Sequence, residues 1–422
     1  MTNQDIVKAA LRVWGRELYT NTSLSQVAGE LGVSKPALYR HFENKEALLK
    51  AMYDYFFDDY VAHIKPGLEQ AMATKNIWES MVVMIRVLTD YFARNADLFI
   101  FALIEVYGNT EQKNMALPMR ERGLDMAAFI HHNFHIMKEN PSRIQMIVST
   151  IILRLASFHK EELKRGETPG EEQIRSLIVS LEKWITVGLD LNREVIDRMD
   201  YERLEAGVSG LSLGAIDDGE LIKAVASVVA GVGPWNASME MVAQRSGLSK
   251  SGLYAHFKSK QDMMRQLFMT EFSRIIAFAE EGIRQSEVPE EQLYLGLYSI
   301  TSYLRQRPEI LAAMDWIRTR RLDPGRLDPP PPHFFSVFRN VRLPIEDWSS
   351  NKAPGEEDGP SGDSEEDLIN QWILFLTLNM LMHRPEGMAF ADFPNSSIRA
   401  LYRFITLGLK GYKDISNESN VL

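Results

Sequence analysis

The sequence predicts an all-α protein built from two copies of one helical unit. Apolar residues recur at spacings of three and four, as at Leu177, Leu181 and Trp184, which is the period of an amphipathic helix. No alternating apolar and polar run is long enough to indicate a β-strand. One residue pattern also occurs twice, 215 positions apart. These three observations together predict a duplicated helical chain.

The composition is that of a globular protein with several domains. The chain has 422 residues, of which 45% are hydrophobic and 25% charged, so bulk disorder and fibrous structure are excluded. The net charge of −10 argues against a surface that coats nucleic acid on all sides, but a local basic face stays open. The absence of cysteine excludes disulfides and thiolate metal sites. With no readable signal peptide or membrane span, we expect a cytoplasmic protein without membrane contact.

The two copies align without gaps over their most similar part. The segment SKPALYRHFENK at 34–45 matches SKSGLYAHFKSK at 249–260. A weaker match pairs 91–95 with 303–307, and ITVGL at 185–189 resembles ITLGL at 405–409. We therefore interpret the chain as a complete duplication. The expected domains are a first domain at 1–48, a larger helical domain at 49–204, a linker at 205–218, and the same two domains again at 219–263 and 264–422.

Each repeated segment predicts a helix-turn-helix. In the first copy Ser23 suits the N-cap of a short helix, Gly32 ends that helix, and a second helix follows over 35–42. The second copy predicts the same arrangement, with Ser238 as cap and a second helix over 250–257. This motif places its second helix in the major groove of DNA.

The residue types of these segments suit contacts with DNA. Leu38 and Phe42 are four apart and can pack inward, which leaves the other face of the helix for phosphates and bases. Residues 1–50 hold seven Lys or Arg against five Asp or Glu, and 216–265 hold six against five, so both windows are mildly basic. The predicted DNA contacts are Ser23, Ser25, Lys35, Pro36, Ala37, Tyr39, Arg40, His41, Lys45, Ser238, Lys250, Ser251, Gly252, Tyr254, His256 and Lys260.

The pattern Ser-Lys-x-x-Leu-Tyr-x-His-Phe-x-x-Lys, present twice, resembles the DNA-binding signature of the TetR family of bacterial regulators. The resemblance covers about 50 residues in each half. It implies a three-helix DNA-binding domain, a helical domain that binds a small effector, and two C-terminal helices that form a four-helix dimer interface. It also implies a ligand-responsive repressor rather than an enzyme, with no cofactor. One departure is Leu18 at the end of the first helix, where the family has Gly and the second copy has Gly233.

Two subunits in one chain predict an intrachain pseudo-dimer. The helices near 143–159 and 174–189 would pack against those at 368–383 and 397–409. Because the two reading segments differ, with Arg40 in one at the position of Ala255 in the other, we expect an asymmetric operator with half-sites about one helical turn apart. A tandem of independent regulators that forms a dimer of chains is the rival arrangement, and further self-association stays open.

Several other features of the sequence carry weaker hypotheses. Aromatic residues could line effector pockets, and the candidates are Tyr91, Phe99, Tyr107, Phe129, Phe134, Tyr298 and Trp316. His131 and His135 have a spacing that can hold zinc, but no convincing carboxylates complete a metal site. Asp58 and Asp59 lack the third Asp of a helical isoprenoid enzyme. A ligand-binding or protein-interaction module with one degenerate DNA-binding half stays a functional alternative.

Overall fold

A computed structural model of the chain describes residues 1–17, 23–74, 76–106, 116–128, 142–166, 168–211, 220–307, 309–311, 337–338, 341, 365–382 and 388–411. Helices, turns and irregular segments account for all of these residues, and none of them lies in a β-strand. The predicted all-α fold class is confirmed. We call residues 1–204 unit 1 and residues 219–422 unit 2.

Unit 1 and the segment that follows it form a series of helices, some of which are very short. In chain order they are α1 (Asn3–Glu17), α2 (Leu24–Glu30), α3 (Lys35–Tyr39), α4 (Lys45–Ala73), α5 (Ile77–Arg94), α6 (Ala96–Phe101, continued by a π-helical turn at Ala102–Val106), α7 (Ala116–Glu121), α8 (Ser142–Arg165), α9 (Glu171–Thr186), α10 (Arg193–Arg198) and α11 (Tyr201–Ser209).

Unit 2 repeats the first part of this series. Its described helices are α12 (Glu220–Asn236), α13 (Met239–Ser246), α14 (Lys250–His256), α15 (Lys260–Ile283), α16 (Pro289–Gln306), α17 (Glu365–Met382) and α18 (Asn395–Leu407), with short 3₁₀ turns at Phe390–Asp392 and Leu409–Gly411. The order of short and long helices from α12 to α16 is that of α1 to α5.

The duplication extends to contacts in the interior. In unit 1 the Tyr91 hydroxyl on α5 donates a hydrogen bond of 2.9 Å to Asp59 on α4. In unit 2 the Tyr303 hydroxyl on α16 donates one of the same length to Glu271 on α15. Each hydroxyl thereby supplies a hydrogen-bond donor to a carboxylate that lies between a long helix and the helix after it. The two Asp residues of the weak enzyme hypothesis have structural partners here, because Asp58 forms an ion pair with Arg122.

Four helices, two from each unit, pack together. The Trp184 ring on α9 lies 4.8 Å from the Trp372 ring on α17, measured between centroids. The Trp372 indole N–H donates to Thr150 Oγ1 on α8 at 2.9 Å, and Asn379 donates to Ser149. The helices in this packing are α8, α9, α17 and α18, and α17 starts at Glu365.

The backbones of the two units come close together at Gly188 and Gly408, just after the ends of α9 and α18. Both glycines have positive φ angles, 66° and 57°. A Cβ built on Gly188 would lie 2.5 Å from Gly408 N, and one built on Gly408 would lie 2.4 Å from Val187 N. The backbone N–H groups of Leu189 and Leu191 donate across this contact to the carbonyls of Ile405 and Thr406. Only glycine allows the two backbones to be this close.

The segment after α9 packs on unit 2 rather than spanning solvent. Buried Glu205 of α11 accepts hydrogen bonds from Tyr294 (2.6 Å), Asn395 (2.6 Å) and Arg399 (2.7 and 2.9 Å). Although burial opposes its charge, these donors hold the pKa of Glu205 below its ordinary value. Residues 205–209 are therefore part of an ordered helix, so the predicted linker at 205–218 begins too early.

Other boundaries also differ from the prediction. Helix α12 continues through Gly233 to Asn236, so Gly233 does not end that helix; the next helix is instead capped by Ser238. Leu18, His131 and His135 lie outside the described residues. None of the described helices is long and apolar enough to cross a membrane.

We expect Gly188→Ala to destabilise the contact between the units more than Gly166→Ala destabilises its own loop. Gly166 is a matched control because its φ of 71° is equally left-handed, yet a Cβ there would meet nothing within 4 Å. Both substitutions carry a strain of roughly 1–2 kcal/mol from the left-handed backbone. The clash should cost Gly188→Ala at least about 2 kcal/mol more, measured by urea unfolding of the full chain. Equal losses for the two variants would contradict the close packing.

Candidate nucleic-acid interface

The first helix-turn-helix comprises α2 and α3. Ser23 caps α2 through a reciprocal pair, in which Gln26 N donates to Ser23 Oγ at 3.3 Å and Ser23 N donates to Gln26 Oε1 at 2.7 Å. Leu24, Val27 and Ala28 are the buried residues of α2. The predicted cap at Ser23 is confirmed.

Helix α3 presents a short exposed surface. It ends at Tyr39, three residues before the predicted end at 42, and residues 40–42 continue as a turn. Leu38 is fully buried and Phe42 is nearly so, as the spacing predicted. The Tyr39 ring is 45% exposed, although large aromatic side chains are usually buried. The turn leaves an aromatic hydroxyl and two cations, Lys35 and Arg40, on one exposed face.

The second helix-turn-helix, α13 and α14, has the same geometry. Ser238 Oγ accepts from Met241 N at 3.2 Å, and Gly247 ends α13 with a φ of 71°. Leu253 and Phe257 are buried, and Tyr254 is 48% exposed. Helix α14 ends at His256, one residue before the predicted end. We call α3 and α14 the reading helices.

The residues predicted to contact DNA fall into two groups, one with exposed and one with half-buried side chains. Those with exposed side chains are Ser23, Ser25, Lys35, Pro36, Tyr39, Arg40, Lys250, Ser251, Tyr254 and His256. Those that are half-buried are Ala37, His41, Lys45, Ser238, Gly252 and Lys260. Most of each predicted set therefore lies on the solvent side of its helix-turn-helix.

Two of the half-buried residues, His41 and Lys45, contact side chains of helix α1. The His41 ring contacts Asn3 on α1, with 2.7 Å between Nδ1 and Oδ1. The Lys45 ammonium lies 5.8 Å from the centre of the Trp14 ring, and burial lowers the Lys45 pKa. In this structure Lys45 therefore joins α4 to α1, whereas the sequence suggested a contact with phosphate.

The two reading helices differ in electrostatics. The Lys250 ammonium at the start of α14 forms an ion pair with Glu240 on α13. This hydrogen-bonded pair raises the pKa of Lys250 and lowers that of Glu240. Lys35, its counterpart on α3, instead lies 5.8 Å from the centre of the Tyr39 ring. The sequence alignment contains this difference, because Ser25 stands where unit 2 has Glu240.

A buried carboxylate lies between α4 and the turn that follows α6. Glu105, on the π-helical turn after α6, is 7% exposed, and burial raises its pKa. The Tyr53 hydroxyl on α4 lies 3.1 Å from the Glu105 carbonyl oxygen and 3.5 Å from its Oε2. The sequence analysis did not identify Glu105, because its partner is 52 positions away.

A cavity of about 610 Å³ lies between the first DNA-binding domain and the helices behind it. Its walls come from α1, α4, the junction of α5 and α6, and the end of α8. The lining residues include Lys8, Arg12, Tyr55, Arg94, Asp97 and His159. The His159 ring is buried and lies 2.9 Å from the Phe92 carbonyl oxygen. The cavity thus adjoins α1 of the DNA-binding domain directly.

Of the aromatic residues that were predicted to bind an effector, the three that the structure describes are not among the lining residues of this cavity. Tyr91, Phe99 and Tyr298 are buried in the helical core, where Tyr91 contacts Asp59, Phe99 packs against Phe92, and Tyr298 stacks on Tyr294. Tyr107, Phe129, Phe134 and Trp316 lie outside the described residues. Within the described part of the chain, no group of three His, Asp or Glu residues could hold a metal ion.

Both helix-turn-helix segments match one family model, described as bacterial regulatory proteins of the tetR family. The matches cover residues 6–52 and 221–267, which are α1 to the first part of α4 and the equivalent part of unit 2. The chain therefore carries two TetR-like helix-turn-helix segments, one in each unit. The resemblance read from the sequence is confirmed in both halves.

Similar proteins with curated descriptions come from Bacillus subtilis (strain 168). The uncharacterized HTH-type transcriptional regulator YerO is 29% identical over 100 residues, which are 24% of this chain and 34% of that protein. The uncharacterized regulator YuxN is 40% identical over 53 residues, 13% of this chain and 18% of that protein. The fatty acid metabolism regulator protein is 28% identical over 76 residues, 18% of this chain and 39% of that protein. The chain spans about a third or less of the first two relatives.

Solved structures that resemble the chain include two FadR proteins. FadR from Bacillus subtilis in complex with stearoyl-CoA is 16% identical, with 45% of this chain and 98% of that chain covered and a TM-score of 0.33. FadR from Bacillus halodurans is also 16% identical, with 46% and 97% covered and a TM-score of 0.33. Likeness at this level carries no argument about ligands.

The caps of the two reading helices differ, and this predicts different effects of Ser→Ala. Ser249 Oγ accepts a hydrogen bond of 3.0 Å from Gly252 N, whereas the Ser34 side chain makes no capping bond. Ser249→Ala should therefore cost about 1 kcal/mol of local stability, and Ser34→Ala much less. Amide hydrogen exchange should accelerate at residues 252–256 in the first variant only. Equal acceleration in α3 on Ser34→Ala would contradict this prediction.

Proposed function

We propose that the chain is a DNA-binding transcriptional regulator that contacts DNA through both of its helix-turn-helix segments. The carrying observation is that α3 and α14 each place an exposed tyrosine on the same buried scaffold. In each, an exposed Tyr stands on the helix while a Leu on the opposite side is fully buried, as at Tyr39 and Leu38. Exposed hydroxyls and cations at the end of a helix-turn-helix suit phosphate and base contacts.

We further propose that the two units of one chain act as a pseudo-dimer. The four-helix packing of α8 and α9 with α17 and α18, and the contact between Gly188 and Gly408, support this arrangement. Buried tryptophans at the centre of the packing, Trp184 and Trp372, are typical of a permanent interface. The proposed domains are 1–48, 49–204, 219–263 and 264–422, with residues 205–209 contributing to the packing on unit 2.

The proposed operator is asymmetric, because the reading helices present different side chains. Arg40 suits a guanine or a phosphate, and Ala255 at the equivalent position offers only a methyl group. Ser251 and Gly252 stand where α3 has Pro36 and Ala37. At the position of Arg40 and Ala255, one half-site should therefore meet a cation and the other a methyl group.

Control of binding by a small effector is part of the proposal, and the cavity beside α1 supports it. A ligand there would contact Lys8 and Arg12 of the DNA-binding domain and Asp97 at the start of α6. Because both sides of the junction would contribute contacts, the ligand could favour one orientation of the DNA-binding domain over another. We propose repression that the effector relieves.

Selection from random duplex DNA with the purified full chain tests the function. We expect a single asymmetric site, bound by a protein whose mass by light scattering is that of one chain. Arg40→Ala should weaken binding by about 1–3 kcal/mol if Arg40 reads a guanine, and should relax the preference at one position of one half-site. Ala255→Arg should add a preference in the other half-site.

Three outcomes of this selection would count against the proposal. Enrichment of no DNA would refute the function itself. A perfectly symmetric site would refute the difference between the reading helices. A mass of two chains on two adjacent sites would favour the tandem of independent regulators.

The effector cavity can be tested with a variant that fills it. Ala96, on the cavity wall, is replaced by Trp, and a library of small metabolites is screened by thermal shift against both proteins. A ligand that binds the folded chain raises its melting temperature. Compounds that stabilise the wild-type chain and release its DNA should lose both effects in Ala96→Trp. Compounds that act equally on both proteins would place the effector site elsewhere.

A further inference from the structure

The second helix-turn-helix contains an ion pair directly on its exposed face. Glu240 is the second residue of α13, and its Oε1 accepts a hydrogen bond from the ammonium of Lys250, the first residue of α14. Both side chains remain more than half exposed, at 69% and 56%. The pair therefore lies where a helix-turn-helix approaches DNA, and it is accessible to solvent and to DNA.

Unit 1 has the same lysine without the carboxylate. Lys35 is the first residue of α3, and the position equivalent to Glu240 is occupied by Ser25. Among the described residues no carboxylate forms an ion pair with Lys35, whose ammonium lies over the Tyr39 ring instead. The two units thus present one exposed lysine whose charge is available and one whose charge is compensated.

The remaining charges are also distributed differently. Helix α14 has Ala255 in place of Arg40, so with Lys250 paired it presents no uncompensated Lys or Arg. Unit 2 has cations beside the helix instead, at Arg245 and Lys258, where unit 1 has Glu30 and Glu43. Both of these cations are exposed. In unit 2 the positive charge therefore flanks the reading helix rather than lying on it.

The fold does not need the Glu240–Lys250 ion pair for its stability. Exposed ion pairs contribute little to folding, because water and salt screen their attraction. The cap of α14 is supplied by Ser249, and its inward contacts by Leu253. Removal of the Glu240 carboxylate should therefore leave the helix-turn-helix folded, and its main effect should fall on what the exposed face binds.

We propose that Glu240 lowers the affinity of unit 2 for the DNA backbone by withholding Lys250 from it. Unit 2 then makes one phosphate contact fewer from its reading helix than unit 1 does from Lys35, and it relies on its flanks for backbone contacts. Phosphate contacts add affinity for any sequence, whereas the side chains in the groove distinguish sequences. This inference rests on the proposed function, because it assumes that α14 faces DNA.

The test uses Glu240→Ser, which gives unit 2 the residue of unit 1, in the full chain. The probe is the fluorescent duplex selected by the wild-type protein, with an unrelated duplex of equal length for comparison. Each phosphate contact contributes about −0.9 to the slope of log K against log salt. Glu240→Ser should steepen that slope by about 0.9 and tighten binding roughly 5- to 10-fold at 100 mM salt.

Three matched variants separate charge masking from other effects. Ser25→Glu should have the opposite effect in unit 1, with weaker binding and a shallower slope. Lys250→Ala alone should change affinity less than two-fold, and it should abolish the gain when combined with Glu240→Ser. Circular dichroism of each variant should match that of the wild-type chain.

The outcomes distinguish this inference from the proposed function. If the wild-type chain binds its selected duplex but Glu240→Ser changes neither affinity nor slope, only the inference is refuted. A gain that persists in Glu240→Ser/Lys250→Ala would also refute it, because Glu240 would then act by repelling DNA and not through Lys250. Failure of the wild-type chain to enrich any duplex would refute the function and the inference together.

Discussion

The arrangement of the two units depends on the contact between Gly188 and Gly408. Each backbone occupies the space that a Cβ of the other would need, and both residues have left-handed φ angles. This closeness lets backbone N–H groups of unit 1 donate to the carbonyls of Ile405 and Thr406. It also brings α9 beside α17 and α18, so that Trp184 and Trp372 can stack. Larger residues at the two glycine positions would separate these helices and expose their apolar faces.

The connection between the units reinforces the same geometry. Helix α11 follows unit 1 in the chain but packs on unit 2, where Glu205 accepts hydrogen bonds from residues 89 to 194 positions further along. A buried carboxylate with several charged and polar donors is costly to leave unpaired. The segment between the units is therefore held in place at its start. Movement of α11 away from unit 2 would leave the buried Glu205 carboxylate without its hydrogen-bond donors. Both the glycine contact and this network oppose rotation of one unit against the other.

The features that could be predicted from the sequence are those that depend on local pattern. Ser23 and Ser238 could be identified as caps, and Leu38 as a buried position, because spacing alone decides these roles. The repeat of ITVGL as ITLGL indicated that the duplication extends to the end of each unit. Glu105 and the cavity beside α1 could not be predicted, since their neighbours come from distant parts of the chain. The end of α3 was predicted three residues too late, because an inward Phe42 fits a turn as well as a helix.

Because the two units are joined in one chain, their reading helices can differ in sequence. In a dimer of identical subunits, a carboxylate at the position of Glu240 would necessarily stand in both helix-turn-helix segments and mask both lysines. In this chain the scaffold residues are the same in both units, as with Leu38 and Leu253, while Ser25 and Glu240 differ. One unit can therefore keep a charged reading helix while the other holds its charge in an internal ion pair. A shared buried scaffold with independent exposed charges is the physical basis for two unlike DNA contacts in one molecule.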